Sequence, residues 1–283
     1  MNHLEKICDF ISSFVNKYNY KGVVIGISGG IDSTVVAYLC VKAIGKDRVF
    51  GLILPERDSS KDSIKDGVLV CKSLEIPYKI KSITPILRKI GIYKLFPPAL
   101  IFPRSIQEKY VLGKWQKLSK DSFIDDLLNQ GNEEFLKGLA YYRIKHRVRM
   151  CNLYFEAEKR NYAVAGTTNK TEILTGLYVK WGDDASDFEP IAHLYKTEIY
   201  ELAKELKVPE KIIKKKPSPD LIPGLTDEFV FEMSYEKLDR ILKKIENNSK
   251  LDDEDPQKVQ RVLKIIKAAE KRKIKTIKIT DES

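Results

Sequence analysis

The run Gly26-Ile-Ser-Gly-Gly-Ile-Asp-Ser-Thr34 sets three glycines, three hydroxyl residues and one acid between an apolar stretch and a helical one. Glycines at 26, 29 and 30 let backbone N–H groups turn toward an anion with no side chain in the way. A helix starting directly afterwards adds its own N–H groups and the positive end of its dipole. Ser28, Ser33 and Thr34 add hydroxyl donors. The GxxxxGK[ST] lysine is missing, and Asp32 would repel bare phosphate. The acid suits the loop if Mg²⁺ stands between the carboxylate and the phosphates. The bland alternative is a plain Gly-Gly turn with Asp32 and Ser33 capping the helix.

The elements that would position this loop follow from apolar spacing. Residues 3–18 read as an amphipathic helix, 23–27 as a short β-branched strand, and 33–44 as a helix. Residues 49–54 and 78–83 read as further strands around a helix at 60–74. A fourth strand, 162–166, precedes a second polar loop at 167–172. Strands alternating with helices predict an α/β fold, a doubly wound parallel sheet flanked by helices. A ligand then belongs at the carboxyl ends of the strands, where the glycine loop falls. Residues 94–120 carry prolines and aromatics without a period; 125–142 read as helical, and a long helix is expected over 139–158. The last helices are expected at 196–206, 235–245 and 257–271, with no internal repeat.

Composition narrows the class without choosing a function. The chain has 283 residues, enough for a sizeable core, and its 43% hydrophobic content is that of a globular protein. No stretch approaches a membrane span, and the N-terminus lacks the pattern of a secretion signal. The four cysteines are scattered through apolar helical patterns with no CxxC pair, so a reduced, cytoplasmic setting is expected. The net charge of +10 invites nucleic acid, but 40 acids are interleaved with 50 basic residues, and nucleic acid is disfavoured as a partner.

Ser28-Gly-Gly-Ile-Asp-Ser33 resembles the PP-loop of the ATP pyrophosphatases, the adenine nucleotide α-hydrolase-like superfamily. Members cleave ATP between the α- and β-phosphates and adenylate a substrate oxygen. The second half resembles one family within it, NAD synthetase, in residues 165–172, 175–176, 180–187, 194–198, 216–221, 226–228 and 234–235. The resemblance implies that Gly26, Ile27, Ser28, Gly29, Gly30, Ile31, Asp32 and Ser33 hold ATP, together with Thr167, Lys196 and Ser218. It implies that Asp32 and Glu172 bind Mg²⁺, and that Arg147, Lys180, Asp187 and Lys271 contact deamido-NAD⁺. Lys196 is expected to offset phosphoryl charge, and Asp187 to help take a proton from ammonium. The implied reaction amidates deamido-NAD⁺ with ammonia through an acyl adenylate, with ATP as co-substrate, in a homodimer. Only about 20 residues precede the first strand, so a single NAD synthase domain over 1–283 with no glutaminase domain is expected.

The match departs from the family pattern at Asp184, Pro219, Met233 and Glu270, and the 94–140 stretch is expected as an atypical insertion, a lid or a dimer segment. His146 and His193 are read as non-catalytic. Two other readings stay open on the sequence: a PP-loop enzyme acting on another carboxylate or on tRNA, and a catalytically silent nucleotide-binding protein.

Overall fold

The structure, a computed structural model, describes residues 3–95, 118–215, 226–274 and 276. Strands β1 (Gly22–Gly26), β2 (Val49–Ile53), β3 (Tyr78–Ile80) and β4 (Tyr162–Ala165) form one parallel sheet in the order β3-β2-β1-β4. In register, Val24 lies beside Phe50 and Val164, and Ile25 beside Gly51 and Ala165.

Side chains alternate across a strand, and here both faces are buried. Val23, Ile25, Val49, Ile53, Ala163 and Ala165 join one core, with residues of α1 (His3–Lys17) and α2 (Ile31–Ile44). Val24, Phe50, Leu52 and Val164 join the other, under α4 (Thr84–Ile90) and the long α6 (Glu133–Glu158). The third helix, α3 (Lys61–Ser73), closes the β2–β3 crossover. Helices on both faces make the expected doubly wound fold.

A third apolar cluster lies beyond the sheet. It joins α5 (Ser122–Leu128), through Phe123, Ile124 and Leu127, to Phe231, Leu238, Ile241 and Ile265 of the C-terminal helices. Those helices are α10 (Asp227–Phe231), α11 (Tyr235–Glu246) and α12 (Pro256–Lys273). Between sheet and cluster run α7 (Lys170–Thr175), α8 (Lys196–Glu205) and α9 (Glu210–Ile213).

Three boundaries differ from the sequence reading. The helix after the glycine loop starts at Ile31 rather than at 33, because extended Gly30 is its N-cap, so Asp32 sits inside the first turn. Strand β3 stops at Ile80 instead of 83; it is the sheet edge, and Lys79 and Ile80 are exposed. The helix expected from 125 to 142 is interrupted: Asn129 and Gly131 adopt φ of 54° and 124°, and Asn132 caps α6 by accepting from the Phe135 N–H at 2.8 Å. Of the 94–140 stretch, residues 96–117 lie outside the described residues, while Phe123, Ile124, Leu127, Phe135 and Leu139 are core positions.

Candidate active site

The glycine loop leaves β1 at the carboxyl end of the sheet and is braced by its own hydroxyls. Thr34 Oγ1 donates to the Gly30 carbonyl at 2.7 Å and Ser33 Oγ to the same carbonyl at 3.2 Å. The Gly30 N–H in turn donates to Ser28 Oγ at 3.1 Å. Thr34 is fully buried and Ser33 nearly so, and their hydroxyls hold the loop's shape through the Gly30 carbonyl. Gly29 has φ +75°, and a Cβ there would lie 2.6 Å from the Ser63 carbonyl and 3.0 Å from the Gly67 nitrogen. Only glycine fits that left-handed, crowded position. No side chain caps α2, so the capping alternative for Asp32 and Ser33 fails.

Asp32 turns instead toward two residues far along the chain. Its Oδ2 accepts from Lys196 Nζ at 2.6 Å, and its Oδ1 from Asn169 Nδ2 at 2.9 Å. Asn169 is the N-cap of α7 and forms a capping box with Glu172: each side chain bonds the other's backbone N–H at 3.0 Å. One fully buried residue thereby ties the two carboxylates together, its side-chain Nδ2 on Asp32 and its backbone N–H on Glu172. The sequence reading passed over Asn169, although Asn169-Lys-Thr-Glu172 is a recognisable N-cap signature. Thr167, half-buried, follows β4 on the way into this cap.

The electrostatics follow from burial. Burial opposes the Lys196 ammonium, but the charges of Asp32, Glu172 and Asp227 outweigh it and hold the pKa above the ordinary lysine value. Burial, reinforced by the Asp32 charge, drives the Glu172 carboxyl well above its usual range despite Lys196. Asp227 is pushed up as well, chiefly by burial. It is a third acid that the sequence reading quoted within a motif but gave no role. Tyr235 donates to Asp227 Oδ2 at 2.8 Å, and its ring lies 5.4 Å from Lys196 Nζ. Three acids around one lysine make a pocket short of positive charge.

That deficit fits a hard divalent cation. Among the described residues no cluster of three His, Cys, Asp or Glu could hold a metal alone. Asp32 and Glu172 would supply two oxygens, and phosphate oxygens and water the rest, as is usual for Mg²⁺ beside a nucleotide.

The other expected residues fall into two places. Arg147 donates through Nε and Nη2 to the Lys180 carbonyl at 3.3 and 3.2 Å, and Lys180 Nζ donates to the Ile274 carbonyl. Lys271 Nζ reaches the Leu128 carbonyl, while its neighbour Arg272 is buried and donates to the Gly176 and Tyr178 carbonyls and to Asp126. The end of α12 is thereby pinned to the loop that carries Lys180. Arg149, two residues from Arg147, points elsewhere, to the Leu54 carbonyl at 3.2 Å. Asp187 stands apart at the outer edge of β4, where Oδ2 accepts from the Val164 N–H at 2.7 Å and Oδ1 from Tyr154 at 3.4 Å. No described hydrogen bond joins it to Asp32, Glu172 or Lys196, so this geometry gives its proposed proton-taking role no support. Ser218 lies outside the described residues. His146, with Nδ1 3.2 Å from Asp183, and His193, against the His3 ring, are both away from the cluster.

Comparison with known proteins identifies the family. The sequence model of the NAD synthase family matches residues 3–95 and 114–276. The NH(3)-dependent NAD(+) synthetase of Thermotoga maritima is 67% identical over 267 residues, spanning 94% of this chain and 95% of the relative. A solved NH3-dependent NAD synthetase from Campylobacter jejuni superposes with a TM-score of 0.72 at 31% identity, covering 99% of this chain and all of that one. The NMN synthetase of Francisella tularensis gives 0.73 at 27% identity, covering 98% of this chain and 97% of that one. With most of its length matched by the family model and by a relative of this similarity, the chain belongs to the NAD synthase family.

Proposed function

We propose that this chain is an ammonia-dependent ligase that converts deamido-NAD⁺ to NAD⁺ at the expense of ATP. The observation that carries the reading is the meeting of Asp32, Glu172 and Lys196 at the carboxyl end of the sheet, beside a loop shaped to receive phosphates. The nicotinate carboxylate attacks the α-phosphorus of ATP, the bond to the bridging oxygen of the β-phosphate breaks, and pyrophosphate leaves. Ammonia then attacks the acyl carbon and gives up a proton, the carbon–oxygen bond to AMP breaks, and the amide remains.

The chain's own part is positioning and charge neutralisation. The N–H groups of Ile27, Ser28 and Gly30 are bonded within the fold, so the backbone at Gly29 and the uncapped first turn of α2, residues 31–33, receives the β- and γ-phosphates. Lys196, held protonated by its acids, offsets charge on the phosphoryl groups. Mg²⁺ held by Asp32 and Glu172 would add neutralisation of the same oxygens. Arg147 and Lys180, with Lys271 nearby, offer a cationic surface for the dinucleotide, and Asp187 is assigned as a contact. A homodimer and a cytoplasmic setting complete the proposal; no helix of the described residues is long and apolar enough to cross a membrane.

The test is product formation. With ATP, Mg²⁺, ammonium and deamido-NAD⁺, equal amounts of AMP and NAD⁺ are expected, and Asp32→Ala should abolish both. Nicotinate mononucleotide is the control acceptor, since one structural neighbour is an NMN synthetase. Amidation of the mononucleotide alone would overturn the choice of substrate, and absence of AMP with either acceptor would overturn the ligase reading.

A further inference from the structure

The two residues that meet Asp32 from the second half of the chain stand on different helices, each at its first turn: Glu172 in α7 and Lys196 in α8. Their immediate neighbours in sequence, Thr171 and Thr197, both bond one carboxylate. Thr171 Oγ1 donates to Asp239 Oδ1 at 2.6 Å, and the Thr197 N–H donates to Asp239 Oδ2 at 2.8 Å. The same Thr171 hydroxyl accepts the backbone N–H of Lys196 at 2.9 Å. Thr171 is fully buried and Asp239 is 1% exposed, so the bond between them is shielded from water.

We infer that Asp239 is a positioning residue for the ATP site, clamping the N-termini of α7 and α8 together so that Glu172 and Lys196 are presented to one set of phosphates. A hydroxyl has one proton to give. Because Thr171 spends it on Asp239, its lone pairs are left to receive Lys196, which fixes the direction of the whole chain of bonds. Asp239 is therefore held in a role that neither a neutral acceptor nor an alanine reproduces. The helix that carries it is also tied to the site through Tyr235, which stands one turn earlier and bonds Asp227 beside Lys196. A buried, fully satisfied network of this kind fixes geometry more than it adds stability.

The inference rests on reading Asp32, Glu172 and Lys196 as the ATP site. A pure helix cap would produce a different pattern: lost thermal stability with both substrates bound as before. Thr171→Val keeps the shape but leaves an Asp239 oxygen and the Lys196 N–H without their partner. By calorimetry, binding of ATP with Mg²⁺ should weaken at least fivefold, while deamido-NAD⁺ binds within twofold of the parent. The turnover number should fall at least tenfold, and Thr171→Ser, which restores the hydroxyl, should recover it to within threefold. Unchanged ATP binding in folded Thr171→Val, or an equal loss for both substrates, would overturn the clamp. Should Thr171→Val not fold, Asp239→Asn is read by the same comparison. A parent that binds ATP but not the dinucleotide would overturn the substrate reading alone; a parent that binds neither would overturn both.

Discussion

Replacing Lys196 by Met keeps the length and much of the volume of the side chain and removes one buried charge. Lys196 is 2% exposed and sits against Asp32 at 2.6 Å, with Glu172 and Asp227 close enough to raise its pKa. Removing one partner of a buried ion pair costs roughly 3–5 kcal/mol, because the remaining charge keeps its desolvation penalty. Asp32 retains some solvent at 18% side-chain exposure, which places the expected cost near about 3 kcal/mol. A chain of 283 residues gains on the order of 0.6 kcal/mol per kelvin of entropy on unfolding, so the melting temperature should fall by roughly 5 °C at pH 8. Acidity tests the cause: at pH 4 Glu172 and Asp227, whose carboxyls burial pushes above their ordinary values, take up protons and the deficit should shrink. Millimolar Mg²⁺ should narrow it at pH 8 as well, by supplying the missing positive charge. Differential scanning fluorimetry across pH and Mg²⁺, with the AMP assay alongside, reads all of this. A Lys196→Met protein that melts within 1 °C of the parent at pH 8, or that keeps more than a tenth of its turnover, would refute the account of the cluster.

Gly29→Ala should raise the KM for ATP at least tenfold and destabilise the fold: the αL conformation costs about 1–2 kcal/mol for alanine, and the new Cβ meets backbone 2.6 Å away at Ser63. Binding of ATP by calorimetry and a melting scan check both halves. Glu172→Gln should act in the opposite direction on stability. Its carboxyl titrates above the ordinary value of 4.5 in the fold, so the folded state favours the protonated form. That contribution is fully present below pH 4.5 and is lost as pH rises through the folded pKa. The Gln protein should therefore melt higher than the parent at pH 8 without Mg²⁺, match it near pH 4, and show no Mg²⁺-dependent turnover. An equal or lower melting temperature at pH 8 would contradict the assignment of Glu172 as a strained acid awaiting a cation.

The alternation of short β-branched runs with amphipathic helices sufficed to specify a doubly wound sheet, because local periodicity records which faces are buried. Val24 and Ile25 enter different cores for that reason. The glycine loop was legible too, since Gly29 combines a positive φ with a Cβ position that neighbouring backbone already fills. What the periodicity missed was local chemistry outside the pattern: the helix break at Asn129–Gly131 turns on left-handed backbone, and the start of α2 on an extended Gly30. The site itself was only half visible. Asp32, Glu172 and Lys196 could be named from motifs, but 164 positions separate Lys196 from Asp32. That they share one buried pocket, that Asn169 joins the two carboxylates, and that Asp227, Tyr235 and Asp239 close around them are facts of tertiary structure. So is the placement of Asp187 beside β4, bonded to the Val164 N–H and to Tyr154. Sequence sets which groups are available and which backbone shapes they allow. Which charges face one another, and hence which carboxyl is forced toward its neutral form and which lysine is held charged, depends on distances and desolvation that exist only once the sheet and the C-terminal helices have packed together.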